Sequence, residues 1–158
     1  MKVFRIEREK FLSTTLSGIG ASMDDGCRWN SRYTRLVYTA ESRALALLEV
    51  TVHLDLSEDL PTDRYVVEIE IPDDAVIQEI RLEDLPADWN ALPPSTSTQA
   101  VGDDFVLKNS ALLLKVPSCI VPNEFNYLIN PQHDAIRGVK VKKASCMGIQ
   151  YYIKQGDE

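Results

Sequence analysis

An α+β fold, with a mixed and mainly antiparallel sheet and few helices, is what this sequence predicts. Three observations carry that expectation. Short segments with the two-residue alternation of half-buried strands recur along the chain, clearest in Tyr65–Ile71, where Val66, Glu68 and Glu70 alternate with Val67, Ile69 and Ile71. Prolines close such segments, Pro72 after Ile71 and Pro117 after Val116. Only the run Ala44–Val52 carries helical spacing, with Leu45, Leu48 and Val52 at i, i+3 and i+7. Many strands with one or two helices fit the α+β class.

Taken in order, Met1–Glu7 alternates around Val3, Phe4 and Ile6 and is the first expected strand, and Leu16–Gly26 is an expected loop with three glycines. Arg35–Thr39 follows as a strand. A helix starts near Glu41, with Thr39 as N-cap and Glu41 favouring the first turn. After Tyr65–Ile71, Ala75–Leu82 is a further strand or a bent continuation. Leu92–Asp104, rich in Pro, Ser and Thr, is expected to be a surface loop with at most a short helix after Pro94. Ala111–Val116, Phe125–Ile129 and Val139–Lys143 complete the main strands, and Gly148–Lys154 is a candidate last one.

A chain of 158 residues has the length of one domain, 1–158, and can bury a sizeable core. Its apolar runs fall short of a membrane span and no basic region precedes an apolar one at the start, so a cytoplasmic protein without a membrane partner is expected. The 17 basic and 24 acidic residues leave a formal charge of −7. Such a chain is repelled by a phosphate backbone, and the cluster Lys140, Lys142 and Lys143 alternates like the solvent face of a strand. Direct nucleic-acid binding is not expected. Cys27, Cys119 and Cys146 include no C-x-x-C pair, which argues against a disulfide framework and a structural zinc site.

Four stretches place unusual polar residues where chemistry could use them. Glu49 falls on the apolar stripe of the predicted helix, so it should be ion-paired, protonated or lining a cleft. In Gly26-Cys27-Arg28-Trp29-Asn30, a guanidinium just after a glycine can present its fork to a phosphate or carboxylate, or simply pack along Trp29. Tyr38 ends a strand before a helix N-terminus, where it could stack on a flat ring or serve as a core tyrosine. Ser118 lies between Pro117 and an apolar stretch, with Asn126, Asn130 and His133 close behind. Ser118 and His133 could belong to a hydrolase, but there is no G-x-S-x-G elbow, and Asn130-Pro131 is better explained as a turn capped by His133. No P-loop, G-x-G-x-x-G or metal-ligand pattern is present.

Together, in this order, these motifs resemble the RES domain family, named for an arginine, a glutamate and a serine. The resemblance spans about Phe4 to His133 and is strongest in Gly26–Glu49 and Val116–His133. It implies an ADP-ribosyltransferase-like fold and a bacterial type II toxin that degrades NAD+ at the nicotinamide–ribose bond. It also implies a cognate Xre-like antitoxin in a hetero-oligomeric complex. NAD+ would be substrate, with no cofactor and no metal. The family's arginine, tyrosine, glutamate and serine correspond to Arg28, Tyr38, Glu49 and Ser118, with Trp29, Asn30 and Asn130 as further NAD+-binding candidates. Transfer of ADP-ribose to a protein target is the alternative chemistry. Where the family commonly shows Ser-Pro-Gly after Arg-Trp-Asn, this chain has Ser31-Arg32-Tyr33. That difference keeps open a third possibility, a weak enzyme acting as an antitoxin-binding module.

Overall fold

A computed structural model describes residues 1–53 and 63–147. The expected strand at Gly148–Lys154 lies outside the described residues. The chain runs β1 (Lys2–Arg8), a 3₁₀ turn at Glu9–Thr14, α1 (Ile19–Ser22), β2 (Val37–Ala40), α2 (Arg43–Thr51), β3 (Arg64–Glu70) and β4 (Ile77–Glu79). It continues through a 3₁₀ turn at Leu82–Asp84, α3 (Thr96–Lys108), β5 (Leu113–Pro117), β6 (Phe125–Ile129), a 3₁₀ turn at Asp134–Gly138 and β7 (Lys140–Cys146). The strands form one sheet in the order β4-β5-β6-β2-β1-β3-β7. Only β4 and β5 run parallel; the other neighbours are antiparallel, as an α+β fold requires.

Register defines two faces. Val116, Asn126, Ala40, Phe4 and Glu68 lie opposite one another in a single row across five strands, and Leu114, Leu128 and Tyr38 form the next row on the same face. The other face carries Val3, Val37, Val67, Ile69, Leu113 and Ile129, a buried cluster packed against Leu12, Leu16, Ala135 and Ile136. The pairing is uneven. β1 meets β3 at every position from Lys2↔Glu70 to Arg8↔Arg64, but it meets β2 only at Phe4↔Ala40.

The face bearing Asn126 and Tyr38 is covered in two separate pieces. Leu45 and Ala46 of α2 pack on Ile6 and Ala40, while Phe105 of α3 packs with Trp29, Leu36, Leu114, Val116 and Leu128. Asn126 and Tyr38 stand where these two clusters meet.

Three expectations need correction. Leu92–Asp104 is not a loop with a short helix: α3 spans Thr96–Lys108. Its buried stripe is Thr98, Gly102 and Phe105, helical in spacing but with one large apolar side chain, so hydrophobic periodicity hid it. Gly102 is required there, because a Cβ would come within 1.6 Å of the Trp29 carbonyl oxygen. The N-cap of α2 is Ser42, whose Oγ accepts from the Leu45 N–H at 3.0 Å, and not Thr39. Thr39 belongs to β2 and donates its hydroxyl to the Tyr127 carbonyl. The buried stripe of α2 is also turned from the expected one: Leu45 and Ala46 are buried, but Leu48 and Val52 are exposed.

Candidate active site

Glu49 stands on α2 one turn beyond Leu45 and Ala46, at the edge of the buried stripe, and is half-buried. From the strands beneath, Ser118 Oγ donates to Glu49 Oε1 at 2.8 Å and Asn126 Nδ2 donates to the same oxygen at 2.6 Å. Ser118 immediately follows β5 and its N–H bonds the Glu124 carbonyl, which extends the β5–β6 pairing by one step. Its Oγ also accepts the N–H groups of Ile120 and Val121, each at 3.1 Å. Both hydroxyl lone pairs are therefore occupied, so the proton must point at Glu49 and no lone pair is left for attack. Ser118 holds a carboxylate; it is not placed to be a nucleophile.

The carboxylate is thus held by one oxygen. Both recorded hydrogen bonds of Glu49 go to Oε1, and no basic side chain pairs with it among the described residues. Of the three states open to it from the sequence, an ion pair with a Lys or Arg is ruled out among those residues. Among the described residues Oε2 accepts no hydrogen bond, which leaves it to an outside donor.

Tyr38 occupies the row next to Asn126. Its hydroxyl donates to Asn30 Oδ1 at 2.6 Å and accepts the Trp29 N–H at 3.1 Å, so the polar end is satisfied within the protein. Burial pushes the phenol well above its ordinary pKa, with the neighbouring Cys27 adding to the effect. Tyr38 as a whole is half-buried, packed against the Trp29 and Leu128 cluster. Burial likewise pushes the Cys27 thiol up to about 11, helped by Asp24, so it stays protonated and a poor nucleophile at neutral pH.

Arg28 is half-buried beside this tyrosine network. Its Nη1 donates to the carbonyls of Trp89 at 2.7 Å and Ala91 at 3.0 Å, which orients the guanidinium without neutralising it. No carboxylate pairs with it among the described residues.

Trp29, Asn30 and Asn130 differ from the expectation that they meet a ligand directly. Trp29 is 3% exposed and Asn30 and Asn130 are fully buried. The Asn30 amide donates to the carbonyls of Ala21, Ser31 and Thr34, which pins the loop that carries Arg28. Asn130 bonds Asn109 Oδ1 and the Gln132 N–H, and the His133 N–H closes the expected turn onto the Asn130 carbonyl at 3.3 Å, but the His133 ring caps the 3₁₀ turn that follows, through the Ala135 N–H. Asn126 was not among the expected site residues. Its signal was present, since an asparagine within an apolar strand is unusual and begs a partner.

The segment Ser31-Arg32-Tyr33 keeps a shape that its residues do not favour. The Thr34 N–H bonds the Ser31 carbonyl at 3.2 Å, and Tyr33 has φ of 73° while Arg32 does not enter positive φ. That is a type II turn, in which proline suits the second position and glycine the third. Ser31 is further clamped to α3, its N–H and Oγ–H donating to the two carboxylate oxygens of Asp103. The turn is thus held by α3 and by its own closing bond, even with a tyrosine in the left-handed position.

Among the described residues no helix is long and apolar enough to cross a membrane, and no group of three His, Cys, Asp or Glu side chains could hold a metal. The family model for the RES domain matches residues 2–150. A protein of Sphingobium sp. named "Prs ADP-ribosylating toxin" is 45% identical over 130 residues, covering 81% of this chain and 80% of the relative. A "Toxin Res" of Photorhabdus laumondii is 38% identical over 144 residues, covering 89% and 90%. A chain in the crystal structure of the M. tuberculosis MbcT–MbcA toxin–antitoxin complex has the same fold, with a TM-score of 0.76, 15% identity, and 98% of this chain and 87% of that one covered. By that match over nearly its whole length and by these relatives, this chain belongs to the RES domain family.

Proposed function

We propose that this protein is the toxin of a bacterial toxin–antitoxin module and that it breaks the nicotinamide–ribose bond of NAD+. The observation that carries the reading is the Glu49 carboxylate, fixed through Oε1 and open at Oε2. Cleavage of that bond builds positive charge on the ribose as neutral nicotinamide departs, and a fixed anion beside it lowers the barrier electrostatically. Glu49 Oε2 accepts hydrogen bonds from the ribose hydroxyls and faces the developing oxocarbenium ion. The ring of Tyr38 stacks on nicotinamide. Arg28, which lacks a counter-ion among the described residues, takes the pyrophosphate. Ser118 serves by aiming Glu49. Water completes the reaction, giving ADP-ribose and a proton, or phosphate takes its place. NAD+ is consumed as substrate, with no cofactor needed.

Relatives named as toxins support the cellular role, and with it a cognate antitoxin that blocks the cleft. The antitoxin's Xre-like character rests on the family resemblance. A second chemistry, transfer of ADP-ribose to a protein, is favoured by one observation: the 45%-identical relative is named an ADP-ribosylating toxin. The donor site is the same for both. The intact turn at Ser31–Thr34 weighs against an inactive binding module.

The test is nicotinamide release from NAD+ by purified wild type and Glu49→Gln. Release by wild type alone is expected. Equal and negligible release overturns the reading, and labelled ADP-ribose on a co-purified protein moves it to transfer.

A further inference from the structure

We infer that Asn126 is a positioning residue for the Glu49 carboxylate, a role that rests on the proposed NAD+-cleaving reading. Asn126 sits in β6 opposite Ala40 of β2 and Val116 of β5, in the middle of the row that crosses the sheet. Ala40, the small residue beside it in that row, is buried against Leu45 and Ala46 of α2, the helix that carries Glu49. An ionised carboxylate can only accept, so the amide must turn its NH₂ toward it, and Nδ2 lies 2.6 Å from Oε1.

Ser118 supplies the second donor to that same oxygen at 2.8 Å. One arrives from β6 and the other from the residue just after β5, and two donors are what the two lone pairs of Oε1 can take. One donor would leave the carboxylate free to swing about it. Two fix the plane of the group and leave Oε2 as its open acceptor. Asn126 therefore decides which way the charge of Glu49 faces, without touching the substrate itself.

The experiment compares initial rates of nicotinamide release across NAD+ concentrations for wild type, Glu49→Gln, Asn126→Ala and Asn126→Asp, with each variant's fold checked by thermal unfolding. Asn126→Ala is expected to lower kcat by about 10–100-fold while KM stays within about threefold, since aim is lost and binding is not. Asn126→Asp supplies the readout that a merely structural residue would not move. When its carboxyl is protonated it donates to Oε1 as the amide did; when ionised it opposes a like charge. Its activity relative to wild type should therefore be about tenfold higher near pH 5.5 than near pH 8.

A kcat for Asn126→Ala within twofold of wild type overturns the assignment while Glu49→Gln, if inactive, leaves the NAD+ reading standing. An Asn126→Asp to wild-type ratio that is flat with pH overturns it too. If Asn126→Ala fails to fold, the Asp variant's ratio still decides. Absence of release from wild type overturns both readings together.

Discussion

Two carboxylates lie against opposite faces of the same sheet, and they are held in opposite ways. Glu7 of β1 is buried and closed: Oε1 accepts the Arg8 N–H, and Oε2 meets Arg5 at 2.8 Å and the Thr15 hydroxyl at 3.3 Å. Arg5 in turn donates to the Thr15 carbonyl, and burial lowers its pKa against the opposing pull of Glu7. Both carboxylate oxygens are thus engaged inside the protein. Glu49 has two neutral donors on one oxygen and no basic partner among the described residues. A carboxylate that stabilises a fold saturates itself, whereas one that serves a ligand keeps an oxygen in reserve.

Substitutions should separate the two. Glu49→Gln removes the charge but keeps the shape, and it should cost about 10²–10³-fold in NAD+ cleavage. Its Tm should move by no more than roughly 2 °C. A Tm drop beyond that would place Glu49 with Glu7 as a fold carboxylate. Glu7→Gln should do the reverse: about 2 kcal/mol of stability lost in urea unfolding, because Arg5 is left facing a neutral group. Its specific activity, corrected for folded fraction, should match wild type. Ser118→Ala lies between the extremes. It takes a donor from Glu49 and an acceptor from the Ile120 and Val121 N–H groups, so kcat should fall about tenfold and stability by about 1 kcal/mol. A change in stability alone would make Ser118 a turn residue only. The smallest effect concerns the rim. Tyr33→Gly relieves a left-handed tyrosine and should raise Tm by roughly 2 °C, with nicotinamide release unchanged. A loss of stability would mean that the exposed ring, over which Arg32 stacks, contributes more than the strain removes.

The strands were legible because each carries its own period. Tyr65–Ile71 appears as Arg64–Glu70, Phe125–Ile129 appears unchanged, and Met1–Glu7 is displaced by one residue at each end. Their order in the sheet was not legible, since β2 lies between β1 and a strand whose paired residues stand 86 to 92 positions further along the chain, a pairing that no local pattern records. α3 was hidden for a different reason: beside Phe105 its buried face is Thr98 and Gly102, and Gly102 is there for its close fit against the Trp29 carbonyl and not for hydrophobicity. At the site, Glu49 and Ser118 stood out as polar residues in apolar runs. Trp29, Asn30 and Asn130 were candidates through the family resemblance, but all three are buried, and a sequence alone does not separate an inward-facing amide from an outward-facing one. Asn126 was noted behind Ser118 but given no role, since nothing in the sequence points to its partner Glu49, 77 positions away.

The uneven pairing of the sheet has a mechanical side. β1 and β2 share the single pair Phe4↔Ala40, so the sheet is two panels stitched at one point, β4-β5-β6-β2 and β1-β3-β7. α2 straddles that seam, resting on Ile6 of one panel and Ala40 of the other, while Ser118 and Asn126 belong wholly to the first. A hinge of one ångström at the seam, carried by the helix, would stretch a 2.6 Å bond beyond hydrogen-bonding length. The least reinforced joint of the fold therefore lies directly under its most exacting contact, and whatever stiffens or spreads that joint sets how steadily Glu49 is aimed.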